Sequence, residues 1–129
     1  MTKKRIFISF AIEDKSLRDM LKGQARNEKA PFEFVDMSVK EPWDSAWKTK
    51  CRTRIKGCNG VIAIVTKNTK EADGQIWELE CAEEESVPIL PIWGTSDSNA
   101  RPKTLPSVLS GKHIYNWTWD NIKNFIERV

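Results

Sequence analysis

The chain has one histidine, His113, and three cysteines, Cys51, Cys58 and Cys81. The cysteines are odd in number and none stands at zinc-ligand spacing, which argues against both a metal centre and a disulfide framework. Reduced thiols are expected. Long apolar runs are also missing, and none approaches the ~18 residues that span a bilayer. The basic start Met1-Thr2-Lys3-Lys4-Arg5 is followed by an apolar segment too short for a signal peptide, broken by Glu13 and Asp14. A cytoplasmic protein with no membrane partner is expected. Charge of one sign is scarce as well. The net charge is +3, with 21 basic and 18 acidic residues intermixed, a balance that disfavours a nucleic-acid partner. Repeats, linkers and low-complexity segments are absent.

What remains is the composition of an ordinary globular protein, and 129 residues make one domain, 1–129, with room for a real core. Ile6-Phe7-Ile8-Ser9-Phe10 and Val61-Ile62-Ala63-Ile64-Val65 are short, almost continuously apolar runs, as expected of strands covered on both faces. Phe32-Glu33-Phe34-Val35-Asp36 reads as a second strand after the stop at Pro31. Val87-Pro88-Ile89-Leu90-Pro91-Ile92-Trp93 reads as a fourth strand, and Lys112-His113-Ile114-Tyr115-Asn116 as a fifth.

Helices fall between them. Asp14 or Ser16 caps one with Leu17, Met20, Leu21 and Ala25 on its inner face, and Asp44 or Ser45 caps one carrying Trp47, Cys51, Ile55 and Cys58. Gly57 and Gly60 bracket the end of that second helix. A third runs through Gln75-Ile76-Trp77-Glu78-Leu79-Glu80-Cys81-Ala82. A short turn at Leu105, Val108 and Leu109 precedes a closing helix with Trp119, Ile122, Phe125, Ile126 and Val129. Strands alternating with helices predict a flavodoxin-like three-layer α/β sandwich with a five-stranded parallel sheet, order 2-1-3-4-5. Ligands in such sheets bind beyond the carboxyl ends of the strands, here in the loops after Phe10, Asp36 and Val65.

Glycine is absent where a nucleotide-binding turn would need it. The first strand runs into Ser9-Phe10-Ala11-Ile12-Glu13-Asp14, which is neither a P-loop, a dinucleotide fingerprint nor a flavin phosphate loop. The third strand ends Val65-Thr66-Lys67, without the aspartate of a phospho-acceptor domain.

The pattern instead resembles TIR domains, more closely the bacterial TIR-like group that includes the TIR component of Thoeris anti-phage systems. Ile6 to Phe10 with Glu13-Asp14 resembles the opening strand and acidic turn. Asp36 ends the second strand, Trp43 and Trp47 lie in and after the following loop, and Trp77, Glu78, Leu79 and Ala82 match the helix after the third strand. Where many relatives carry a tryptophan four residues before the glutamate, this chain has Gly74.

The resemblance implies cleavage of the nicotinamide–ribose bond of NAD, as glycohydrolase or ADP-ribosyl cyclase, with Glu78 as the essential carboxylate. NAD is then the substrate and no cofactor is needed. Ser9, Phe10, Asp36, Trp43, Trp47 and Trp77 become the candidate substrate-binding residues. TIR–TIR self-association is implied, and so is a separate effector protein that senses the product. Periodicity alone does not select Glu78, because Glu80 lies nearer Ile76 on the helical wheel. Trp47 falls on an apolar stripe, so it also fits core packing. Two other readings stand beside the enzyme. One is a non-catalytic TIR-like interaction module using the loop of residues 37–43 and the basic stripe Lys48, Arg52 and Lys56. The other is a metabolic or regulatory flavodoxin-like protein binding a different nucleotide.

Overall fold

The structure, a computed structural model, describes residues 4–29, 32–37 and 39–129. Pro31 and Met1-Thr2-Lys3 lie outside the described residues. Four strands, β1 (Lys4–Ser9), β2 (Phe32–Val35), β3 (Gly60–Val65) and β4 (Ile89–Trp93), form one parallel sheet in the order β2-β1-β3-β4. The helices α1 (Lys15–Asn27), α2 (Ser45–Lys56), α3 (Asp73–Glu84) and α4 (Trp119–Arg128) cover it.

Strand alternation sorts the core into two layers. Phe7, Val61, Ala63 and Val65 face Trp47, Cys51 and Ile55 of α2 and Leu79 of α3. Ile6, Ile8, Ile62, Ile64 and Ile92 face Leu21 of α1 and Ile122, Phe125 and Ile126 of α4. Every residue of β3 is buried, which is why that run contains no polar position. Asp44 caps α2, its carboxylate accepting from Ala46 N–H at 2.8 Å. Thr118 caps α4 in the same way. Among the described residues no helix is long and apolar enough to cross a membrane.

Three expectations are corrected. The sheet has four strands, not five. Tyr115 alone pairs beside β4, donating to Pro91 O and accepting from Trp93 N–H, both at 2.9 Å. The chain turns at once on either side, through Lys112 N–H to Leu109 O and Thr118 N–H to Asn116 O, so no ladder extends from that bridge. Met20, placed on the inner face of the first helix, is 61% exposed.

Gly60 belongs to β3 and does not end α2. A Cβ there would lie 2.8 Å from a ring carbon of Phe125, so glycine is needed for the close approach of α4 to the sheet. Gly60→Ala is expected to cost about 2 kcal/mol, the usual overpacking penalty. Urea unfolding checks this, and an unchanged midpoint would refute the packing argument.

Candidate active site

The loops after β1, β2 and β3 converge over the carboxyl ends of the central strands. They line a cleft of about 190 Å³ that includes Ile12, Lys40, Trp43, Gly74 and Gln75. Gly74 and Gln75 stand at the start of α3, and Glu78 follows one turn later on the same inward face.

Glu78 is fully buried, and each carboxylate oxygen has a donor. Ser9 Oγ, at the end of β1, donates to Oε1 at 2.9 Å, and Lys40 Nζ donates to Oε2 at 2.6 Å. Burial pushes the Glu78 carboxyl up to about 7, against the pull of the Lys40 ammonium and the two hydrogen bonds. Glu80, two residues on, is exposed. The side chain that the helical wheel disfavoured is therefore the buried one.

Lys40 covers this carboxylate. Its ammonium sits 3.9 Å from the centroid of the buried Phe10 ring, and its stem crosses Gly74 so closely that a Cβ there would meet Lys40 Cβ at 2.7 Å. A glycine at position 74 therefore makes room for the lysine. The loop carrying Lys40 is held from α2. Trp47 Nε1 donates to Val39 O, and Arg54 donates to Asp36 O, both at 2.7 Å.

The candidates from sequence divide into two groups. Ser9 and Phe10 touch the Glu78–Lys40 pair, and Trp43, 78% exposed, stands at the cleft mouth. Asp36 is engaged elsewhere, by Arg18 at 2.9 Å and Lys22 at 3.1 Å. Burial pushes its carboxyl up, but those two cations overcome that and hold it below the usual range. Trp47 and Trp77 pack edge to face at 5.5 Å between α2 and α3, and neither lines the cleft. Arg52 of the basic stripe is turned to Glu84 and Glu85 at the end of α3.

Lys40 and Gln75 are the cleft residues that sequence reasoning missed. Lys40 lies in an irregular loop and Gln75 has no partner nearby in the chain, so only the departure at Gly74 marked the spot. A larger hollow, about 660 Å³, lies past β4 against Trp93, Arg101 and Trp117. Its lining contains no carboxylate, so its size does not make it the reactive site.

A parallel sheet in this order, with helices on both faces, is a TIR-like arrangement. The fold matches the TIR domain of the Toll-related receptor TRR-2 from the lower metazoan Hydra magnipapillata, with a TM-score of 0.71, 18% identity, and coverage of 95% of this chain and 97% of that one. At that identity the likeness is one of fold. Residues 7–99 match the family of the Thoeris protein ThsB, TIR-like domain, and the chain belongs to that family. No curated protein matches the chain.

Proposed function

We propose that this domain cleaves the nicotinamide–ribose bond of NAD, with Glu78 as the catalytic carboxylate. The observation that carries the reading is a fully buried glutamate, bonded to Ser9 and Lys40, beyond the ends of the central strands. Heterolysis of the C1′–N bond sends the electron pair to the pyridinium nitrogen, so nicotinamide leaves neutral and needs no acid. Positive charge develops on the ribose ring, and an ionised carboxylate in a low-dielectric site stabilises it. Water then adds to C1′ and loses a proton, giving ADP-ribose, or another atom of the same nucleotide adds instead, giving a cyclic product that contains one water fewer. We favour the cyclic product as a signal read by a separate effector in anti-phage defence, made in the cytoplasm by self-associated domains.

A cleft of about 190 Å³ is small for a dinucleotide, since ligand sites usually span ~300–1,000 Å³. Lys40 occupies part of the missing space and must withdraw before NAD enters. Lys40→Ala is therefore expected to raise kcat/KM by about tenfold, the gain from removing a closed state that competes with substrate. The assay belongs at about pH 9, because removing the cation raises the Glu78 carboxyl further and the reaction needs the ionised form. A fall in kcat/KM at that pH would show that Lys40 serves the reaction and does not block it.

Release of nicotinamide from NAD by concentrated, assembled protein tests the activity, and mass spectrometry of the nucleotide identifies the product. The second reading, a non-catalytic interaction module, is favoured by one observation. Trp43 and Val39 are exposed on the same loop, at 78% and 58%. No nicotinamide from assembled or infection-activated protein would leave that reading in place.

A further inference from the structure

Gln75 carries an unfilled acceptor beside Glu78. Its side chain is fully buried, and its Nε2 donates to Ser9 O at 3.1 Å and to Ile64 O at 2.9 Å. Both partners are carbonyls, so the amide cannot be turned round: nitrogen must face the strands and Oε1 must face away from them. That oxygen has no hydrogen-bond partner, the one such buried side-chain atom among the described residues. An unmet buried acceptor is costly, so its presence calls for a reason.

Its position supplies one. Gln75 bridges the ends of β1 and β3, the two strands between which the chain changes direction across the sheet, and this crevice is where open α/β sheets receive ligands. Gln75 also lines the cleft covered by Lys40. Ser9 links it to the carboxylate, giving its carbonyl to Gln75 and its hydroxyl to Glu78.

We propose that Gln75 Oε1 is a substrate-binding acceptor, taking an N–H or O–H of the nicotinamide riboside half of NAD. The assignment rests on the NAD-cleaving reading above and adds to it a second fixed contact next to the bond that breaks. Two groups on that half of the substrate can donate, the carboxamide and the ribose 2′-hydroxyl.

Calorimetric titration of the Glu78→Gln protein, which binds without turnover, separates them. The ligands are NAD, its analogue with a methyl ketone in place of the carboxamide, and its analogue lacking the 2′-hydroxyl on the nicotinamide ribose. Each is titrated with Gln75 present and with Gln75→Met. One analogue is expected to bind about tenfold more weakly than NAD when Gln75 is present, and within about twofold of NAD when it is methionine. The affected analogue identifies the donor. Losses independent of residue 75 overturn the assignment alone, whereas NAD binding to neither protein overturns the NAD reading with it. Should Gln75→Met fail to fold, the Gln75 side-chain carbonyl carbon is followed by NMR in the Gln75-containing protein. A downfield shift with NAD that one analogue fails to produce supports the contact, and the same spectrum with all three ligands overturns it.

Discussion

Glu78→Gln is expected to lower nicotinamide release from NAD by about a thousandfold, while Glu80→Gln leaves it within about twofold. The two substitutions are chemically identical and two residues apart, yet their surroundings differ completely. Glu78 is fully buried between Ser9 and Lys40, where a charge is little screened and, in the proposed reaction, acts on the developing oxocarbenium ion. Glu80 is exposed, where water screens the same charge. Amide replaces carboxylate at nearly constant volume, so Glu78→Gln removes the charge while the core around Leu79 and Ala82 stays filled. Chromatographic measurement of nicotinamide, with thermal melts as a folding control, decides the matter. Activity retained in a folded Glu78→Gln protein would transfer catalysis to another group.

The stability of the protein is expected to record the same burial. Glu78 titrates near 4.5 in the unfolded chain and near 7 in the folded one, because burial disfavours the charged form. Between those values the folded protein keeps a proton that the unfolded chain has released. Stability from this group is therefore highest below about pH 4.5 and falls as pH rises through 7, by about 3 kcal/mol in all.

Glutamine does not titrate, so Glu78→Gln should gain about that much on the native protein between pH 4.5 and 7.5, whatever the offset between them at low pH. Urea unfolding of both proteins across this range gives the gap directly. A gap that does not change with pH would mean that the Lys40 ammonium fully offsets the burial. The proposed catalysis runs the other way, since it needs the ionised form, and kcat/KM should rise with pH around a midpoint near 7. The charge proposed to stabilise the transition state thus destabilises the fold that holds it.

Much of the architecture is legible in residue order. β3 announces itself as five consecutive apolar residues because both faces of a central parallel strand meet helices, and no polar residue is tolerated. α2 shows its inner face through Trp47, Cys51 and Ile55 at helical spacing, and its start through Asp44. Errors arose where local pattern and tertiary contact part company. Met20 keeps the helical spacing of Leu17 and Leu21 yet faces outward, and a β-like run around Tyr115 pairs through a single residue because turns close in on both sides. Gly60, read as helix punctuation, is in fact a contact point for Phe125.

By itself, the sequence determined the alternation of strands and helices, the parallel sheet and the TIR-like family. The first two follow from short-range periodicity and the order of elements along the chain, and the family from the resemblance of its motifs. The tertiary structure alone decided that Glu78 is buried while Glu80 faces water, that Lys40 lies over Gly74, and that Gln75 bridges β1 and β3. The reason is that a buried polar group is defined by its partners. Ser9 is 69 positions from Glu78, Lys40 is 38, and the strand carbonyl nearest to Gln75 in sequence is 11 positions away. Helical periodicity reports only neighbours three and four residues apart, and none of these partners is that close.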